Sequence, residues 1–261
     1  MEVHVRQASV QRFLLDAISV VALAGLSVEI AQDGLGMDDP YDLVDLLSLS
    51  YERNIPTWLS AGMHATSAVL LTLIANGSEQ QGGPFLKHWR GLSFIFAYIS
   101  IDEFVTIHEN MNSWLDLGGI FYFSWVIPAS VMVTIFVLSY LKFLFHLPAI
   151  TRFRFVRAGA IFVGGAMGVE LVLSYWTDLY GSSNLGYARI DWVEETMEMC
   201  GAALFLSANV AVLADQTGHI RILSGADETD TAANPASDDA SAPSPDDNAD
   251  EPDASAQDGQ A

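Results

Sequence analysis

Six stretches of this chain are long and apolar enough to cross a bilayer, which takes roughly 20 mostly apolar residues. They lie near residues 13–30, 56–75, 87–114, 120–145, 155–175 and 190–213. The connections between them are short and carry the residues that break helices: Asn76-Gly77, Gly82-Gly83-Pro84, Gly118-Gly119 and the glycines at 181 and 186. This pattern predicts an all-α polytopic membrane bundle of six transmembrane helices over residues 1–223. Between the first two spans, residues 39–51 are too few to cross. Asp39 can cap and Pro40 can open a helix there, so an interfacial helix over 39–51 is expected.

Positive charge orients the spans, because cytoplasmic loops are enriched in Lys and Arg. With both termini cytoplasmic, the inside receives Arg6, Arg12, Lys87, Arg90, Lys142, Arg152, Arg154, Arg157 and Arg221, and the outside only Arg53 and Arg189. That bias predicts a plasma-membrane protein with its N- and C-termini in the cytoplasm. Arg6, Arg12, an apolar run and Ala22-Leu-Ala24-Gly25 also suit a cleaved signal peptide, but the run continues to Ile30, which fits a span better.

Hydrophobic residues make up 51% of the 261 positions, while the net charge is −21. About half of that charge sits in residues 224–261, which hold eleven Asp or Glu and no Lys or Arg, and are expected to form a disordered acidic tail. Only two lysines occur, Lys87 and Lys142. Scarce lysine with abundant aspartate resembles proteins of salt-adapted archaea. The acidic balance argues against nucleic-acid binding, which needs clustered Lys and Arg. The single cysteine, Cys200, excludes an intrachain disulfide and a cysteine-based zinc site.

Ionisable residues inside the spans are expensive and read as functional by default. Asp102, Glu103, His108 and Glu109 fall on the third span, Glu170 on the fifth, Glu194, Glu195 and Glu198 on the sixth, and His64 on the second. The predicted topology places all of them in the extracytoplasmic half. At 100° per residue, Asp191, Glu194, Glu195 and Glu198 share one helix face, and Asp102, Thr106, Glu109, Ser113 and Asp116 form another stripe. Glu103 points about 100° from Asp102 on that wheel, which makes it supporting or paired elsewhere. Glu29, Asp178 and Asp191 are assigned to the same uncertain group. Gly164, Gly165 and Gly168 would let the fifth span approach a neighbour closely.

No Lys or Arg lies in the outer halves of the spans to neutralise these acids. Two remedies exist: shared protons, or bound metal. Two histidines at similar depth favour metal. The expected ligand set is His64, Asp102, His108, Glu109, Glu170, Glu194, Glu195 and Glu198, with iron, manganese or zinc as the ion. That inventory matches di-iron and di-manganese carboxylate sites in bundles, although their Glu-x-x-His spacing is absent. The reading this favours is a metal-dependent membrane enzyme on a lipid or apolar substrate. It would be a di-iron-like oxidoreductase or a hydrolase using metal-bound water. The alternatives are a cation or proton transporter and a structural membrane protein. The apolar inner halves of the third, fifth and sixth spans speak for access from one side.

Ser100-Ile-Asp102-Glu103 with His108-Glu109, then Gly164-Gly165 to Glu170, then Glu194-Glu195 to Glu198-Met-Cys-Gly201, resemble a pattern in multi-pass membrane proteins of prokaryotes, of haloarchaeal type. The resemblance covers roughly residues 90–205. It implies membrane location and a shared polar site, and carries no established activity.

Overall fold

The computed structural model describes residues 2–4, 7–39, 41–112, 117–217 and 221–223; the side chains of 2–4, Glu109, Thr217 and 221–223 are not described. Residues 2–222 form one helical unit, and a second comprises residue 1 with 223–261. The expected acidic tail lies outside the described residues. Apart from two three-residue strands, Glu2–His4 (β1) and Arg221–Leu223 (β2), the elements are helical.

Helix α1, Gln7–Glu29, buries Leu14, Ile18, Ala22, Gly25 and Glu29, a stripe at intervals of three and four residues, and continues as a π-helical turn over Ile30–Gly34. Helix α2 is Leu43–Leu47, only five residues of the expected 39–51. Asp39 does hold its start: the carboxylate accepts the backbone N–H of Leu43 (3.0 Å) and of Val44 (2.8 Å). These donors pull the Asp39 pKa below the ordinary aspartate range. Helix α3, Ile55–Gln80, opens on Asn54, whose side chain accepts the Thr57 N–H at 3.2 Å, with Pro56 in the first turn.

Helix α4, Leu86–Val105, runs antiparallel to α3 along the most extensive helix pairing of the fold. Two serines tie the pair: Ser93 Oγ donates to the Ala68 carbonyl and Ser100 Oγ to the Ala61 carbonyl, both at 2.8 Å. Within a bilayer such interhelical bonds and close packing hold helices together, because lipid is as apolar as leucine.

The expected single span over 87–114 is broken. Thr106 takes φ 59°, a left-handed conformation that a β-branched residue avoids, and α5 restarts at Ile107–Met111. The predicted stripe from Asp102 through Glu109 is therefore not one face of one helix. Helical phase is lost at Thr106, and Ser113 and Asp116 lie outside the described residues.

A 3-10 turn at Gly119–Phe121 leads into α6, Val126–His146. Helix α7, Ala149–Val163, passes through a π-helical stretch, Gly164–Val169, into α8, Glu170–Tyr180. Helix α9, Leu185–Thr217, runs through the centre and packs on α1, α3, α7 and α8.

Among the described residues, five helices are long and apolar enough to cross a membrane: Gln7–Gly34, Ile55–Gln80, Val126–His146, Ala149–Tyr180 and Leu185–Gln216. Helix α4 is 20 residues long but carries Lys87, Arg90, Asp102 and Glu103, and does not join that set. Many large apolar side chains on these helices face outward, among them Phe94, Ile135, Leu138, Phe145 and Phe153.

Candidate functional site

A cavity of about 480 Å³ lies where α4, α5, α6, α7, α8 and α9 approach the segment before α3. Its lining includes eight carboxyl side chains (Glu52, Asp102, Glu103, Glu170, Asp191, Glu194, Glu195 and Glu198) and one histidine, His108. No Lys or Arg lines it among the described residues. Close carboxylates repel, and burial makes the repulsion stronger, so this lining demands protons or cations.

The local structure explains how the acids arrive together. Helix α9 delivers Asp191, Glu194, Glu195 and Glu198 from its first turns on one face, as its spacing predicts. The π-helical stretch before α8 brings Glu170 opposite them. A Cβ on Gly165 would lie 2.8 Å from the Glu194 carbonyl oxygen and 3.2 Å from Glu198 Cγ. Glycine there is what lets the two backbones come this close. The Glu194 carboxyl is within hydrogen-bonding reach of Glu170. One oxygen each of Asp191 and Glu194 is buried with no hydrogen-bond partner among the described residues.

The break at Thr106 serves this site. The Asp102 carboxylate accepts the His108 backbone N–H at 3.1 Å and its Nδ1–H at 2.8 Å. Asp102 therefore caps α5 and sets the imidazole tautomer and direction at once. The His108 ring rests against Trp125 at a centroid distance of 4.9 Å, and Trp125 Nε1 donates to Glu170 Oε1 at 2.9 Å. Asn112 completes the corner by accepting the Trp125 backbone N–H through Oδ1 at 3.3 Å. An outlying backbone conformation beside a dense polar cluster is a mark of functional sites.

The structure thus brings together six of the expected ligands: Asp102, His108, Glu170, Glu194, Glu195 and Glu198. Glu109 lies on α5, and its side chain is outside the described residues. His64 is buried on α3 but is absent from the lining; its ring packs against Phe162, itself a lining residue, at 5.4 Å. Glu103 and Asp191, held uncertain by spacing, both line the cavity. Glu29 is buried and accepts a hydrogen bond from Ser48 Oγ; it is not itself a lining residue but reaches Ser50, which is. Asp178 is exposed on α8. Glu52 was not expected. It sits in the irregular segment between α2 and α3, where no periodicity marks an inward position, and accepts a bond from Thr57 Oγ1 at 3.2 Å. Trp125 and Asn112 were also missed as site residues, because each acts through a partner distant in sequence.

Among the described residues no three His, Cys, Asp or Glu side chains converge tightly enough to hold a metal ion as they stand. The model of one family, Domain of unknown function (DUF8692), matches residues 13–213. The chain belongs to that family. The matched residues carry every side chain of the acidic cavity. No curated protein and no solved structure matches the chain.

Proposed function

We propose that this family member is a multi-pass membrane protein whose acidic cavity binds a divalent metal and uses it on a lipid or other apolar substrate. The observation that carries the reading is the lining itself: eight carboxyls and one oriented histidine, with no Lys or Arg among the described lining residues. Asp102, His108, Glu170, Glu194, Glu195 and Glu198 supply the donors. Oxygen and imidazole donors of this kind suit iron, manganese or zinc. Glutamate has the torsional reach to close on an ion without moving a helix. The metal would supply redox chemistry or an activated water, and a spare carboxyl a general base.

The other half of the lining is apolar and comes from Ile99 on α4, Ala129 and Val133 on α6, and Phe162 on α7, among others. Helix α6 is pinned towards its ends, by Trp125 at one and by Phe143 against Trp89 (4.8 Å) at the other. Between them Val131, Met132, Ile135 and Leu138 face outward while Ala129 and Val133 line the cavity, so an apolar chain passing beside α6 from the bilayer would meet that lining.

Helix α4 lies antiparallel to α3 and, at 20 residues, is about 30 Å long, so we read it as the sixth crossing. The excess of Lys and Arg then puts both termini in the cytoplasm and the cavity in the outer half of a plasma membrane. The scarce lysine and acidic composition support a salt-adapted cell.

Elemental analysis of the purified protein tests the proposal. Stoichiometric iron, manganese or zinc is expected, falling at least tenfold in the Glu170→Gln, Glu194→Gln double variant. A metal-free unmodified protein would sink the metal reading. Proton transport is the second reading, favoured by buried polar side chains on α3 and α9 beyond the cavity.

A further inference from the structure

The seam between α3 and α9 is polar where close apolar packing would be the rule. On α3, Ser60, His64, Ser67, Leu71, Ile74 and Ser78 recur at alternating intervals of four and three residues, and all are buried. Among the described residues, both His64 ring nitrogens and the Ser67 hydroxyl have no hydrogen-bond partner, and the Ser60 hydroxyl lies within reach of the Glu103 carboxyl. On α9, Asn209 is 0% exposed, and among the described residues neither its amide oxygen nor its amide nitrogen has a partner. Asn209 shares a face with Asp191, Glu198 and Gln216, which lie 18, 11 and 7 residues away and so within about 20° of it on the helix.

The register of the two helices sets the order of these groups. Phe96 lies 4.3 Å from Phe205 and 5.8 Å from His64, which places His64 beside the middle of α9. A Cβ on Gly77 would lie 2.9 Å from Gln216 Oε1, which fixes the far end. Reading down the seam from the acidic cavity, both helices contribute polar groups: Glu198 from α9, Ser60, His64 and Ser67 from α3, Asn209 and Gln216 from α9, and Ser78 from α3. The last two line a second cavity, of about 340 Å³, at the opposite end of the bundle, together with His146 and Asp215. Val212, one turn beyond Asn209, already lines that cavity.

Polar groups buried this deeply need partners, and protein interiors meet such needs with ordered water. Leu71, Ile74 and Phe205 belong to one buried apolar cluster along the same seam, a setting that favours the smallest cargo, the proton. A thin file of water carries protons and nothing larger. We infer that the α3–α9 seam is a proton path joining the acidic cavity to the cavity at the opposite end, with His64, Ser67 and Asn209 holding the connecting water. The proton moves along the water: the His64 ring takes one on one nitrogen and releases one from the other, Ser67 and Asn209 hold the water in place, and the water and imidazole reorient before the next transfer. The inference rests on the membrane reading above and not on the metal.

The test is proton flux into liposomes that hold the full-length protein and an entrapped pH dye, with valinomycin and potassium present to balance charge. After an imposed pH step, vesicles with the unmodified protein should equilibrate well ahead of protein-free vesicles. Asn209→Leu and Ser67→Val should slow that flux about tenfold while keeping the metal content of the unmodified protein. If Asn209→Leu does not fold, Ser67→Ala carries the test, since it removes one hydroxyl from an intact helix. Equal rates with and without protein, or seam variants as fast as the unmodified protein, would overturn the path. A protein that conducts protons but holds no metal would overturn the metal reading alone.

Discussion

Helices α6 and α9 are both apolar enough to cross a bilayer, yet they stand in opposite places. In α9, 56% of the most apolar window is buried; in α6 the figure is 11%. Hydropathy does not separate them. Helix α9 carries four acids in its first turns, and acids in a membrane are driven away from lipid. Its remaining faces are small or slim enough to let neighbours in: a Cβ on Gly201 would lie 2.7 Å from the Phe162 backbone nitrogen. Helix α6 carries no acid, and the large side chains Val131, Met132, Ile135 and Leu138 point outward. Polar content inside an apolar segment, and not the apolar content itself, decides which helix becomes the centre.

The largest effect should come from spoiling the close approach at the centre. Gly201→Leu forces a side chain into the α7 backbone and is expected to cost about 3 kcal/mol, read as thermal unfolding in detergent. Detaching the periphery from the site should cost less. Trp125→Phe removes the bond to Glu170 and is expected to cost about 1 kcal/mol. It should also change proteolytic access to the connection before α6. On α6 itself, Leu138→Ala should stay within about 0.5 kcal/mol of the unmodified protein by the same unfolding measurement. A loss as large as that of Gly201→Leu would mean that α6 is packed in the native membrane.

The smallest effect is local. Asp39 has its pKa lowered on folding by the N–H groups of Leu43 and Val44, so its contribution is complete above the ordinary aspartate value and is lost as pH falls through the lowered one. Amide exchange at those two residues should speed up on such acidification. Asp39→Asn should show that faster exchange already at neutral pH.

Much of the fold was legible in the sequence, because apolar runs and turn residues place helices whatever their partners. The acidic face of α9 was legible for the same reason, since one helix keeps its own phase over Asp191 to Glu198. Legibility failed where two segments had to negotiate. At Thr106 the Asp102 carboxylate outcompetes the helical bonding pattern by taking the His108 N–H, and nothing in local spacing announces that. His64 has the depth of a ligand but sits one aromatic ring away from the cavity, behind Phe162. Glu52 reaches the cavity from an irregular segment, whose direction depends wholly on how α2 and α3 are capped.

The crowding of acids into the start of α9 also bears on how the chain is assembled in the cell. Each such residue at the centre of a lone helix costs a few kcal/mol to insert. Four residues, 181–184, separate α8 from α9. The insertion machinery would therefore meet α9 with Glu170 and the glycine-lined face of Gly164 and Gly165 already beside it. Membrane entry of α9 is a partnered event, and its efficiency should depend on the sequence of the helix before it.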